Sequence, residues 1–355
     1  MSPIDVFNYL WNDEIIDHIV IETNRYHSSK FGKQHSVTNH EIRQFFGIMI
    51  LSGYVTVPNR RQFWSNSPTT RNTSVVESGM TSKRFADIMA SLHFADNSQI
   101  DQNDRIFKIR PIFDHFNKVF ATLGKPYPDI WAIDEAMEPY FGRHGLKQFI
   151  RGKPVRFGFK LWCLCSKEGL LLKFKLYEGK DSGRAENLTV GENVVCELAK
   201  NFVPEQSHAF IDNFFTTLPL LDQFRDLKIN LTGTIRKDRV RQVPINDFKK
   251  KSRGTSEAFQ DKDKKLLVVN WQDNSDVIIA SNYNDEDSLS LGKCNRWSKT
   301  EGKAGVYPNQ KSFTPIIMEW VGLTSLTNLE GNTGSPSAKE FGTTHCSDLY
   351  GMHLL

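Results

Sequence analysis

The chain has 355 residues, with 45 Lys and Arg against 41 Asp and Glu, a net charge of +4. That length points to two or three folded units rather than one small core, and so small a net charge excludes a chain that grips polyanions by bulk charge alone. The cysteines Cys163, Cys165, Cys196, Cys294 and Cys346 are too few and too scattered for a secreted disulfide framework, which fits a reduced compartment, and no run approaches the roughly 18 apolar residues of a membrane span.

Residues 1–125 read as helical. Thr38-Asn-His-Glu41 has the form of a capping box, and Ile42, Phe45, Phe46, Met49 and Ile50 follow at helical spacing. Thr81 is placed to cap a helix that aligns Phe85, Ile88, Met89 and Leu92 on one face. A third helix carries Ile112, Phe116, Val119, Phe120 and Leu123. These aromatics read as core. Between the helices, Asn59-Arg-Arg-Gln-Phe-Trp64 is polar and aromatic together, which suits either a nucleic-acid contact or a capped loop.

Lys125-Pro-Tyr-Pro-Asp129 breaks the helical pattern, and the periodicity then changes. Ile130–Asp134 is a short apolar strand ending on a carboxylate. Phe157–Cys165 and Leu170–Tyr177 are two further strands, joined by a Ser166-Lys-Glu-Gly169 turn. Asn187–Asn201 is an amphipathic helix through Val190, Val194, Val195 and Leu198. His208–Asp212 repeats the first strand's design, an apolar run closed by an aspartate. A helix with Leu218, Leu220, Leu221 and Phe224 and a strand at Asn230–Ile235 complete the series. Three strands, helix, strand, helix, strand is the order of a ribonuclease H-like fold, an α/β mixed sheet.

Arg236, Lys237, Arg239, Arg241, Lys249, Lys250, Lys251 and Arg253 then crowd into one stretch. A solvated loop and a phosphate-binding surface both explain such a run. Leu266–Trp271 and Asp276–Asn282 read as a β-pair, an inserted unit rather than part of the core sheet. From about Phe313 the pattern fails, and Gly331–Ser337 has turn composition.

A carboxylate is costly to bury alone, and open α/β sheets build their sites at strand ends. Asp134 and Asp212 are therefore the candidate pair for a divalent metal, since two hard carboxylates hold Mg2+ or Mn2+ through oxygen. The plainer alternative is that both cap local backbone amides. Glu135 would point to the opposite face of the strand and is not a candidate ligand. Trp162 or Trp271 could pack beside a nucleic-acid backbone, with core the simpler role for Trp162.

Ile133-Asp-Glu-Ala-Met, Arg151-Gly-Lys-Pro-Val-Arg-Phe-Gly-Phe-Lys-Leu-Trp, Tyr177-Glu-Gly-Lys, Ile211-Asp-Asn-Phe-Phe-Thr-Thr and Asn295-Arg-Trp-Ser-Lys resemble, in order and spacing, the motifs of piggyBac-type transposases and their domesticated derivatives. The resemblance covers about residues 1–310. It implies a cut-and-paste DNA transposase with an Asp-Asp-Asp site, in which Asp134 and Asp212 match the first two catalytic aspartates and hold Mg2+ or Mn2+. It also implies a helical dimerisation and DNA-binding region at 1–125, a ribonuclease H-like core at 126–235 and a basic loop with a β-rich insertion at 236–312. The implied partners are DNA, as transposon ends and target site, and a second copy of the chain. Nuclear residence follows from the DNA reading.

The chain departs from the family after about residue 310. Where a third aspartate is due it reads Ile316-Ile-Met-Glu-Trp-Val-Gly-Leu-Thr-Ser-Leu-Thr-Asn328, with Glu319 the only acid. The expected picture is an incomplete core, a divergent and poorly ordered tail at 313–355 arising from a frame shift or alternative exon, and no zinc domain, since Cys294 and Cys346 cannot supply four ligands. Three outcomes remain open: an active though impaired strand-transferase, a non-catalytic DNA-binding derivative, and a fragment without activity.

Overall fold

A computed structural model describes residues 2–283 apart from 33–35, 68–71, 126–128, 180–184, 186, 201, 249–250, 264 and 274, together with the backbone of 291–298 and 303–310. The chain divides between Leu123 and Gly124 into two compact units.

The first unit is helical: α1 (Pro3–Leu10), α2 (Asp13–Phe31), α3 (Asn39–Tyr54), α4 (Thr73–Glu77), α5 (Ser82–Ser91) and α6 (Arg110–Leu123). A side chain accepts a first-turn amide at the start of each of α1 to α5. Thr38 and Glu41 form the expected reciprocal box at α3, and Thr81 accepts from the Arg84 amide at α5. Ile42, Phe45, Phe46, Phe85, Ile88, Ile112, Val119 and Phe120 are buried as expected. Ring stacking ties the helices together, Trp11 on Phe46 at 4.1 Å and Phe45 on Phe85 at 4.8 Å. The stretch after Asn59 is a capped 3-10 turn. The Asn59 side chain accepts from the Arg61 amide, Phe63 is buried, and Trp64 donates its indole N–H to the Met80 carbonyl.

Glu41 also receives Arg84 as a fork, Nε to Oε1 at 2.6 Å and Nη2 to Oε2 at 2.9 Å. This contact between α3 and α5 holds the Glu41 carboxyl far below its ordinary 4.5, at about 2, the Arg84 hydrogen bonds being the main cause.

The second unit is built on a sheet. Its elements are β1 (Ile130–Pro139), β2 (Gln148–Phe149), β3 (Phe157–Ser166), β4 (Leu171–Leu176), α7 (Val190–Ala199), β5 (His208–Ile211), α8 (Leu218–Asp226), β6 (Asn230–Thr234), β7 (Ser256–Gln260), β8 (Leu267–Gln272) and β9 (Asp276–Ser281). Among the described residues these strands form one mixed sheet, in the order β2-β3-β1-β5-β6-β9-β8-β7 with β4 beside β3. β1, β3 and β4 are antiparallel, whereas β5 and β6 run parallel to β1. The chain returns for each parallel strand through a helix, α7 and then α8, the connection parallel strands require. This is the ribonuclease H-like order expected from the sequence. One face packs Trp131, Ile133, Trp162 and Leu164 against Val194, Leu198, Leu220 and Phe224 of the two helices. The other buries Ala132, Phe210, Val269, Trp271 and Ile279. Trp271 is thus core, not a DNA-facing ring. β10 (Leu291–Ser298) and β11 (Lys303–Gln310) make a separate antiparallel pair.

Two expectations are corrected. β1 does not stop at Asp134 but continues to Pro139, because β3 pairs with it over its whole outer half, up to Pro139 opposite Gly158. The β-pair is not separate from the core sheet: β9 pairs antiparallel with β6, Thr232 opposite Ser281, and so extends the sheet, with β7 emerging inside the stretch read as loop. The tail at 313–355 lies outside the described residues.

The depressed Glu41 carboxyl stabilises the fold above pH 4.5 and loses that effect as pH falls toward 2. Glu41→Gln is expected to cost about 1–2 kcal/mol at pH 7, after allowing for solvent screening of a partly exposed pair. Urea unfolding at pH 7 and pH 3 should show the deficit shrinking at the lower pH; an equal deficit at both would contradict this assignment.

Candidate functional site

The parallel pairing of β1 with β5 ends at Ile133 opposite Ile211. The next residue on each chain is an aspartate. Asp134 and Asp212 therefore emerge side by side on adjacent parallel strands, at the C-terminal limit of their shared ladder. Each is anchored in the same way, with Oδ1 accepting the amide of the following residue: Glu135 to Asp134 at 2.7 Å, and Asn213 to Asp212 at 2.5 Å. Thr234 on β6 adds its hydroxyl to Asp212 Oδ1 at 3.2 Å. Oδ2 of each carboxylate has no hydrogen-bond partner among the described residues.

Burial pushes the Asp134 carboxyl above its ordinary value. The negative charges of Asp212 and Glu135 push the same way, while the Glu135 amide and the Lys153 ammonium oppose them without prevailing. Two neighbouring carboxylates in a partly desolvated place are the donor type that hard divalent cations take. Among the described residues no group of three or more His, Cys, Asp or Glu gathers as a metal site. Glu319 and the segment due to hold a third carboxylate lie outside the described residues, as do the Cys294 side chain and Cys346.

Glu135 sits on the other side of the strand, as expected. It receives Lys160 at 2.5 Å and Lys153 at 3.4 Å. Burial raises its pKa, but the two lysines outweigh that and the net direction is down.

The loop after Asp212 is clamped from two sides. Arg239 donates to the carbonyls of Asn213 at 2.9 Å, Phe214 at 3.2 Å and Thr216 at 2.6 Å. Gly191, in the first turn of α7, lies so close that a Cβ there would stand 2.6 Å from the Phe214 carbonyl oxygen. Gly233 on β6 is as tight, 2.4 Å from the Ile211 carbonyl oxygen. Only glycine permits these approaches.

The basic run divides. Arg239 is committed to the Asp212 loop, and Arg253 to Asp273, with its Nε on Oδ1 at 2.6 Å. Arg236, Lys237, Arg241 and Lys251 are exposed, although Arg236 also reaches the Asn213 side chain at 3.3 Å. Lys249 and Lys250 lie outside the described residues. Sequence reasoning passed over Lys153, Lys160 and Thr234 as site residues. The first two stand in the Arg151–Trp162 motif, which was the available signal. Thr234 carried none.

A family model described as Transposase IS4 matches residues 2–308. The chain is 39% identical over 287 residues to PiggyBac transposable element-derived protein 3 of Homo sapiens, covering 79% of this chain and 48% of that protein. To PiggyBac transposable element-derived protein 2 of Homo sapiens it is 35% identical over 333 residues, covering 91% and 55%. The chain thus spans about half the length of these curated relatives. A cryo-EM structure of piggyBac transposase, a synaptic complex with hairpin DNA, superposes with a TM-score of 0.70 at 22% identity, over 92% of this chain and 67% of that one. That likeness shows the fold.

A carboxylate whose pKa is raised in the folded chain destabilises it wherever the group must be charged, above its ordinary 3.8. Asp134→Asn is therefore expected to raise the thermal midpoint at pH 7, and the gain should vanish on acidification below that value. A lower midpoint at pH 7 would show that Asp134 is stabilising rather than strained.

Proposed function

Because the chain belongs to the Transposase IS4 family, among its piggyBac-type members, we propose that it binds DNA and carries the metal-dependent phosphodiester chemistry of a cut-and-paste transposase at Asp134 and Asp212. The observation that supports this most is the placement of the two carboxylates on adjacent parallel strands, each with one oxygen tied to backbone and one left over. Their donor set fits Mg2+ or Mn2+. When bound, such ions supply water activation and stabilisation of a leaving oxygen. The chain's own part is to hold the two carboxylates fixed, through the following amides, Thr234 and the Arg239 clamp. Lys153 limits the repulsion between them.

Exposed Arg236, Lys237, Arg241 and Lys251 would meet phosphates. Residues 1–125 would serve dimerisation and DNA binding, residues 126–235 the catalytic core, and residues 236–312 the basic loop and β-rich extension. DNA as partner carries nuclear residence with it; no helix among the described residues is long and apolar enough to cross a membrane. A second reading, a non-catalytic DNA-binding derivative, is favoured by one observation: Glu319 is the only acid where the family's third aspartate is due.

Incubation of supercoiled plasmid with the protein and Mg2+ or Mn2+ separates the two readings. Nicking that depends on the ion, and falls by more than roughly 100-fold in both Asp134→Asn and Asp212→Asn, supports catalysis, since even supporting residues around a metal are worth 10–100-fold. DNA retention without any nicking selects the second reading. DNA affinity measured against salt tests the phosphate contacts independently. Lys237→Ala should reduce the salt slope by about 1, whereas Arg253→Ala should leave it unchanged because Asp273 already holds that side chain. Equal slopes for the wild type and Lys237→Ala would remove Lys237 from the interface.

A further inference from the structure

A cavity of about 340 Å3 opens beside the Asp212 loop, within the roughly 300–1,000 Å3 range of ligand pockets. Trp162, Tyr177 and Phe214 give it aromatic walls, Lys160 and Arg239 line it too, and Val190 and Gly191 bring the first turn of α7 to it. Trp162 and Phe214 stack with centroids 5.3 Å apart, and Tyr177 meets Trp162 edge-on. The Lys160 ammonium lies 3.9 Å from the Trp162 ring centroid and 5.1 Å from that of Phe214. Neither cation is a bare charge: Lys160 is paired with Glu135, and Arg239 is spent on loop carbonyls. The cavity thus does not demand an anion. It suits a flat ring with polar edges, to which Lys160 can donate.

The surroundings favour an anion, although Lys153 is held by Glu135. Residues 139–159 hold Arg143, Lys147, Arg151, Lys153 and Arg156 and no acid. The same stretch shows Phe141, Phe149 and Phe157 to solvent, 91%, 58% and 50% exposed, and it sends Gln148 and Ile150 into the cavity wall. Exposed Arg236 reaches the side chain of Asn213, the residue next to Phe214. Cations that track a backbone, with aromatics between them, form the pattern of single-strand recognition.

We propose that this cavity takes one unstacked nucleobase of a DNA strand whose phosphates run along the basic 139–157 segment. The proposal rests on the DNA reading above but not on catalysis. It is tested on the full chain in EDTA, by fluorescence anisotropy with two single strands of about 12 nucleotides, one of thymidines and one of abasic residues with the same phosphates. The wild type should prefer the thymidine strand by on the order of tenfold at one salt concentration. Phe214→Leu, which keeps the apolar bulk but not the ring, should abolish the preference and leave abasic binding unchanged. Phe214→Tyr should retain it. Equal binding of the two strands by the wild type, no binding of either, or equal weakening of both by Phe214→Leu would each overturn the proposal. The preference should survive Asp134→Asn and Asp212→Asn, so a chain that fails to nick DNA still gives a readable answer.

Discussion

Four residue pairs between β1 and β5, from Ile130 opposite His208 to Ile133 opposite Ile211, set where Asp134 and Asp212 stand. Parallel strands place equivalent positions side by side. Where that ladder stops, each chain continues into an aspartate, and two like charges are forced together in a partly dry place. Repulsion alone would drive them apart. The amides that follow them, the Thr234 hydroxyl and the Arg239 clamp prevent it. The close approaches at Gly191 and Gly233 leave the Asp212 loop no room to retreat. Burial, more than the neighbouring charge of Asp212, raises the Asp134 pKa.

The sequence made this pair legible because each strand is an uninterrupted apolar run that changes abruptly to a carboxylate. α3 and α5 were legible for a different reason: Thr38, Glu41 and Thr81 are cap residues followed by a clear apolar face. α2 had comparable signals in Asn12 at its start and Gly32 in a left-handed turn at its end. Between them the apolar spacing is diluted, and its buried face includes Glu22 and Thr23, so periodicity did not mark it. The continuation of β1 past Asp134 was hidden for another reason. Local sequence can show where an apolar run ends, but not that β3 keeps pairing beyond the point where β5 stops.

What remained illegible depended on distant partners. The contact of β9 with β6 joins residues such as Thr232 and Ser281, far apart in the chain, and no local pattern announces it. The basic run failed similarly. Counting charges treats Arg239 like Lys237, yet one is consumed by three carbonyls and the other faces water, a difference made by where the Asp212 loop folds back.

Glu135 shows how the charges around the site are partitioned. Asp134, Asp212 and Glu135 are three carboxylates, with Lys153 and Lys160 at Glu135 and with Arg236 and Arg239 at the loop that follows Asp212. Both lysines contact Glu135, not an aspartate. Lys160 is held on the far face against Trp162, and Lys153 acts on Asp134 only through its field. Glu135 occupies both lysines, so that among the described residues Asp134 has no ion-pair partner.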